Sequence, residues 1–298
     1  MKEIFVDAID GYKLCVHLFE CKNPKAIIQF AHGMEEKQNR YEEFATYLCN
    51  EGYTVVTVDM RGHGYSAEVL GYFKDKNGDE YLVQDMLSVR NYIEELYPNN
   101  KYYLFAHSMG TITTRVFLQQ YSDKFSKVVL CGYPNYQSIA SLGVGIANLV
   151  CLFKGTKAKS KLLRSLTTGS LNKGIKNPKT PIDWISYNEA NLQSYVDDPY
   201  CGFGFTTSAY RDLLVLMKKM GDVKKFKNVN KDLVILLTRG VDDPCVGYEK
   251  GAKDTYTRLS KAGFKNIKTL DYPNMRHEIL HELDYKKVYV DMKNFFDE

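Results

Sequence analysis

Ser108 stands between two small residues, Ala106 and Gly110. A short apolar run, Tyr102 to Ala106, precedes it, and a helical pattern follows with Ile112, Val116 and Phe117 on one side and Arg115, Gln119 and Gln120 on another. Strand, tight turn and helix with a serine at the apex is the pattern of a nucleophile elbow. A serine hydroxyl is a weak nucleophile until a base takes its proton. The turn holds the oxygen clear of the backbone, and the helix start, at Met109, points an N–H at the place where an oxyanion forms. The base and its orienting acid are sought downstream. Asp242 and Asp243 follow one late strand pattern, Leu233 to Thr238, and His277 follows the next, Ile267 to Tyr272. One carboxylate has to accept the His277 ring N–H to fix its tautomer and stabilise the imidazolium; the residues themselves do not choose between Asp242 and Asp243. Upstream, the strand Ala26–Phe30 runs into Ala31-His32-Gly33-Met34. A strand ending in His-Gly is suited to bring a second backbone N–H, that of Met34, beside the first. His32, Gly33 and His107 are then expected against the substrate.

A competing motif overlaps the histidine. His277-Glu278-Ile279-Leu280-His281 is a literal H-E-x-x-H string, which on a helix binds zinc with the glutamate as general base. The strand-then-loop setting puts His277 at a helix start rather than within a helix. Arg276 is an unhelpful neighbour for a cation, and the stretch from His281 to Glu298 is short for a third ligand. The reading adopted is His277 as base, no metal ligands and no cofactor.

The elements that must position these groups alternate. A hairpin, residues 2–7 and 12–20, turns at Asp10-Gly11. Helix 41–51 is followed by the near-continuous β run 53–59, as expected of a buried parallel strand. The loop Asp59 to Ser66 is glycine-rich but has neither G-x-G-x-x-G nor G-K-[ST], so it reads as a structural turn. Asp75 to Asp79 resembles half a calcium loop without the remaining ligands and reads as a turn before helix 80–97. After strand 127–131 the alternation stops, and 134–223 reads as helices and loops, too long for a connection. The expectation is a mostly parallel, doubly wound α/β sheet, residues 1–133 and 224–298, with a helical cap inserted at 134–223 above Ser108. Within the cap, 139–153 is apolar, and Lys154, Lys157, Lys159, Lys161 and Arg164 follow. The preferred reading is a lid helix lining an apolar pocket with its lysines in water; the alternative is transient contact with a lipid surface.

Composition excludes several classes. The chain has 298 residues, 44% hydrophobic and 26% charged, and a net charge of +4, too mild for nucleic acid. The start lacks an apolar leader pattern, no run approaches the roughly 18 apolar residues of a membrane span, and the seven cysteines contain no C-x-x-C pair. Reduced thiols and a cytoplasmic location are the expectation.

As a set, His32-Gly33-Met34, Asp59-Met60-Arg61-Gly62-His63-Gly64-Tyr65-Ser66, His107-Ser108-Met109-Gly110, Asp198-Pro199-Tyr200-Cys201-Gly202-Phe203, Asp243-Pro244 and Arg276-His277-Glu278-Ile279-Leu280 resemble the monoglyceride lipase and lysophospholipase branch of the α/β-hydrolases, which shades into serine aminopeptidase-like members. The resemblance implies the α/β-hydrolase fold, Ser108 as nucleophile, His277 as base, Asp243 as its orienter, the Met34 and Met109 N–H groups as oxyanion hole, and a cap near 134–223. Two departures stand out: Ala106 where the family usually has Gly, and Met34-Glu35-Glu36-Lys37 where it usually has x-Gly-Glu-His. The expected activity is hydrolysis of carboxylic esters of apolar acyl chains, with a small lipid-like ester as partner. Two other readings are a peptidase or amidase on the same residues, with Asp197-Asp198 receiving an amino terminus, and a non-catalytic hydrolase fold that binds a ligand. Chain length, head group and oligomeric state are encoded in no motif.

Overall fold

The computed structural model describes residues 1–227 and 229–298; Asn228, inside the expected 224–298 segment, lies outside the described residues. Among the described residues eight strands form one sheet: β1 (Lys2–Asp7), β2 (Lys13–Phe19), β3 (Ile27–Ala31), β4 (Thr54–Val58), β5 (Tyr102–His107), β6 (Lys127–Cys131), β7 (Val234–Gly240) and β8 (Asn266–Tyr272). Their spatial order is β1-β2-β4-β3-β5-β6-β7-β8. The β1–β2 and β2–β4 pairs are antiparallel and the rest parallel. The fold is therefore the expected α/β-hydrolase architecture, a mostly parallel sheet opened by an antiparallel hairpin. Strands β3 to β6 are buried along their whole length, which is why they are mostly apolar rather than alternating.

Alternation survives as a choice of face. Leu104, Ala106, Val128 and Leu130 join one core, with helices α2 (Gly78–Leu96), α3 (Met109–Tyr121) and α8 (Tyr248–Ala262). Tyr103, Phe105, Val129 and Cys131 join the other, with α1 (Glu42–Asn50) and α9 (Tyr285–Asp297). The strands thus hold two apolar layers apart, and the carboxyl ends of β3, β5, β7 and β8 open on one edge.

Between β6 and β7 the chain makes α4 (Ala140–Lys154), α5 (Lys161–Thr167), α6 (Glu189–Asp197) and α7 (Thr207–Met220). α7 buries Ala209, Tyr210, Leu213, Leu214 and Leu216 in the same core as α2 and α3, so this helix is built onto the sheet layer. Ile185, Leu192, Tyr195 and Cys201 make a small separate cluster. α4 approaches α7 closely through a stripe of small buried residues, Ala140, Gly143 and Ala147. Its opposite face is left in water: Leu149, Leu152 and Phe153 are 58%, 75% and 82% exposed. The basic run after α4 is not uniformly solvated. Lys159 turns inward and donates to the Leu70 and Gly204 carbonyls, and Arg164 reaches Glu35 and the Gly202 carbonyl. No helix among the described residues is long and apolar enough to cross a membrane.

Candidate active site

β5 delivers Ser108 to the carboxyl edge of the sheet in a backbone conformation, φ 47° and ψ −115°, that L-residues rarely adopt. Neighbouring chain over-determines that strain. The Ser108 N–H donates to the Cys131 carbonyl at 3.0 Å and the Gly110 N–H to the His32 carbonyl at 3.0 Å. A Cβ on Gly110 would run into the Ala31 carbonyl, so only glycine lets α3 pass β3 this closely. Ala106, at the position where glycine was expected by resemblance, is fully buried in the core and its methyl is accommodated.

His277 Nε2 lies 2.8 Å from Ser108 Oγ, and His277 Nδ1 lies 2.8 Å from Asp243 Oδ2. The structure also separates the two candidate acids. Asp243 is fully buried, and its other oxygen accepts the Cys245 N–H at 2.7 Å. Asp242 instead accepts from the Tyr187 hydroxyl at 3.0 Å and does not approach His277. The close spacing of Gly240 and Asp243 has a steric origin. A Cβ on Gly240 would strike the Met275 and Arg276 carbonyls, so the end of β7 packs directly against the loop that carries His277.

Gly33 and Met34 reach the same point from β3. The Gly33 N–H is taken by Glu36 Oε1 at 2.5 Å. The N–H groups of Met34 and Met109 have no acceptor among the described residues. His32 does not line the cavity beside Ser108: its Nε2 accepts from the Met60 N–H at 2.9 Å, so its Nδ1 is the donor to the Gly33 carbonyl at 2.7 Å. The expectation that His32 contacts substrate is thus replaced by a different arrangement, a ring pinned to two backbone groups that shapes the loop. Gly33 and His107 do line the cavity.

Beneath the loop lies a buried charge network that the sequence reading missed. Glu36 Oε1 faces His107 Nδ1 at 3.3 Å and accepts from the Tyr41 hydroxyl at 2.9 Å, while its Oε2 lies 3.3 Å from Arg40 Nε. Arg40 also reaches Glu278 at 2.5 Å, one residue after His277, and Asn191 donates to the same carboxylate at 2.7 Å. Arg40 therefore ties the β3 loop to the histidine loop. Burial would raise the Glu36 pKa, but the hydrogen bond and charge of His107, with Arg40, hold it well below the usual carboxylate range. Burial would lower His107, and the Glu36 carboxylate outweighs it and raises the ring's pKa. The signal available in sequence was the pair Glu36 and Arg40 at i, i+4, which periodicity does not distinguish from a surface pair.

The cavity in front of Ser108 has a volume of about 520 Å³. Ile139, Leu142 and Ile146 on and before α4, Leu166 on α5, and Leu213, Leu214 and Met217 on α7 make its apolar wall. Trp184, the single tryptophan, also lines it and lies 4.9 Å from the His277 ring, centroid to centroid. Asp197 and Asp198 are not at the cavity, and Asp198 pairs with Lys37 at 2.8 Å.

Among the described residues, two groups bring three metal-ligating side chains together. Asp243, Cys245 and His277 are one, but both ring nitrogens of His277 already face Asp243 and Ser108. Glu3, Cys15 and His17 form the other at the β1–β2 hairpin. The H-E-x-x-H string is not an α-helix. Only Ile279–His281 make a 3-10 turn, and His281 Nε2 faces the Arg40 carbonyl at 2.8 Å. Its two histidines do not share a helix face.

The family model described as serine aminopeptidase, S33 matches residues 22–284. Over 197 residues the chain is 26% identical to the monoglyceride lipase of Mus musculus, a match spanning 65% of this chain and 58% of that protein. It is 20% identical over 275 residues to the monoacylglycerol lipase of Mycolicibacterium smegmatis, spanning 92% and 88%. The probable lysophospholipase L2 of Haemophilus influenzae is 26% identical over 106 residues, only 34% of that protein's length. Among solved structures, a thermostable carboxyl esterase from Bacillus coagulans in complex with glycerol superimposes with a TM-score of 0.91 at 24% identity, covering 99% of this chain and 97% of that one. The Paleococcus ferrophilus monoacylglycerol lipase gives 0.72 at 18%, covering 95% and 97%. With a family match across most of its length and this fold, the chain belongs to the serine aminopeptidase S33 family of α/β-hydrolases.

Proposed function

We propose that the protein is a serine hydrolase that cleaves carboxylic esters of apolar acyl chains, of the monoacylglycerol or lysophospholipid type, through an acyl-enzyme. The observation that carries this reading is the line Ser108 Oγ, His277 Nε2, His277 Nδ1, Asp243 Oδ2, with 2.8 Å at each hydrogen bond, at the wall of an apolar cavity. Ser108 attacks the ester carbonyl carbon as His277 takes the hydroxyl proton, and Asp243 stabilises the imidazolium. The carbonyl oxygen becomes an oxyanion between the Met34 and Met109 N–H groups. Neither N–H has a protein acceptor among the described residues, and loss of one such donor typically costs about 10²–10³ in rate. The alcohol departs with the proton from His277. Water then attacks the acyl-enzyme with His277 again as base, and the fatty acid leaves. No step calls on a metal or organic cofactor.

In this reading residues 134–223 are the cap, and the Ile139, Leu142, Leu214 and Met217 side chains receive the acyl chain. The relatives named monoglyceride lipase and monoacylglycerol lipase support an ester of that type. The peptidase alternative is weaker because neither Asp197 nor Asp198 faces the cavity to receive an amino terminus. The outward face of α4, with Leu149, Leu152 and Phe153 in water beside Lys154, suits transient contact with a lipid surface that presents the substrate.

The test is labelling with a fluorophosphonate, followed by a panel of esters of graded acyl length. Wild type is expected to label and to hydrolyse medium and long acyl esters, unaffected by a chelator, and Ser108→Ala to do neither. A folded wild-type protein that neither labels nor turns over any ester overturns the proposal.

A further inference from the structure

Strain in this backbone is concentrated around the cavity. Among the described residues, the non-glycine positions with positive φ are five asparagines, which tolerate it, and Glu35, Ser108 and Tyr248. Ser108 and Tyr248 line the cavity; Glu35 does not, although its neighbours Met34 and Glu36 do. Glu35 has φ 57°, a left-handed backbone conformation that favours glycine. A non-glycine residue held in a strained backbone conformation directs attention to what its side chain does.

That side chain is 3% exposed and runs into the helices that wall the cavity. Its Oε1 accepts from the Tyr210 hydroxyl on α7 at 3.3 Å. Its Oε2 faces Arg164 on α5 at 3.4 Å, a half-exposed guanidinium. The cavity residues Leu213, Leu214 and Met217 lie one to two turns beyond Tyr210, and Leu166 lies two residues beyond Arg164. The backbone of Glu35 is fixed independently. Its N–H donates to His63 Nε2 at 3.3 Å, and its carbonyl accepts from the Tyr195 hydroxyl and the Gly202 N–H, each at 2.9 Å. A glycine keeps all three backbone contacts and loses only the carboxylate.

We infer that Glu35 is a positioning residue for acyl-chain selection: its carboxylate fastens α5 and α7 to the loop that carries the Met34 N–H, holding the acyl wall at a set distance from the reacting ester. The inference rests on the ester-hydrolase reading for its substrate and on contacts independent of that reading for its mechanics. A short acyl group reacts without reaching the wall, whereas a long one reports its position.

The experiment compares wild type with Glu35→Gly, Arg164→Ala and the double variant on monomeric p-nitrophenyl acetate and decanoate. In Glu35→Gly the ratio of kcat/KM for decanoate to that for acetate is expected to fall roughly tenfold, the size of a typical coupling between contacting residues, while the melting temperature holds or rises because backbone strain is relieved. The double variant is expected to fall no further than Glu35→Gly. Glu35→Gln, which keeps an acceptor for Tyr210, is expected to recover part of the ratio. An unchanged ratio, an equal fall for both esters, or additive effects of Glu35→Gly and Arg164→Ala overturns the inference. Hydrogen exchange gives a readout that needs no turnover: amides of 161–171 and 207–217 are expected to exchange faster in Glu35→Gly, and unchanged exchange overturns the inference even if no ester is hydrolysed. Failure of wild type to hydrolyse either ester is the separate outcome that removes the functional reading.

Discussion

Two loops meet at the cavity around Ser108, and different forces hold them. The elbow, Ala106 to Gly110, is held by packing: a fully buried strand, a backbone hydrogen bond to Cys131, and a glycine pressed on the Ala31 carbonyl. The β3 loop, His32 to Gln38, is held by polar groups: Glu36 between His107 and Arg40, Arg40 reaching across to Glu278, and His32 pinned between two backbone groups. Packing tolerates changes of pH and fails on changes of volume. A buried ion-pair network does the opposite, since removing one partner strands the other's charge.

The predictions follow that contrast in decreasing size. Ser108→Ala is expected to lower ester turnover by at least about 10⁴-fold without lowering the melting temperature; turnover near wild type would remove Ser108 from the chemistry. Arg40→Ala leaves Glu36 and Glu278 buried with reduced compensation and is expected to cost about 3–5 kcal/mol in denaturant unfolding; a loss below 1 kcal/mol would mean the network is incidental. Gly110→Ala tests the elbow, with an expected cost of about 1–3 kcal/mol from the forced shift against Ala31 and a comparable loss of activity.

The pH test probes the buried pair His107–Glu36, where the polar network meets the elbow. His107 has its pKa raised from 6.5, so its contribution to stability is present below 6.5 and is lost as pH climbs through its folded value. Glu36 is depressed from 4.5, so its contribution is present above that value and is lost only in strong acid. Wild type is therefore expected to lose melting temperature relative to His107→Gln as pH rises above 6.5, and parallel curves would contradict the stabilising role of the buried His107–Glu36 pair. The smallest effect belongs to Lys37→Ala. Its pair with Asp198 is near the surface and should change stability by under about 1 kcal/mol, showing that only the buried charges of the loop matter.

The packed loop was the legible one. Small residues two before and two after a serine, an apolar strand and a helix pattern are local, and local sterics dictate all three. The same holds for the sheet: the near-continuous β runs at 54–58 and 127–131 announced strands of a parallel sheet. The polar loop was not legible. Its departure from the family pattern at Met34 to Lys37 was visible, but what Glu35 and Glu36 touch depends on residues far along the chain, Arg164, Tyr210, His107 and Glu278. Trp184 beside His277 gave no signal at all, since an apolar residue in an irregular stretch carries no periodicity to place it. His32 was expected at the substrate because a His-Gly pair says where the chain turns and not which way the ring points.

By itself the sequence determined the order of elements, the nature of the serine turn and the presence of a late histidine, because short-range sterics and hydrophobic periodicity act within a few residues. It narrowed the acid to two neighbours. Only the tertiary structure chose between them, by burying Asp243 against His277 and turning Asp242 toward Tyr187. The tertiary structure likewise decided which charges are buried and paired, because a charge's partner is set by the approach of distant chain segments in space and leaves no mark in local spacing.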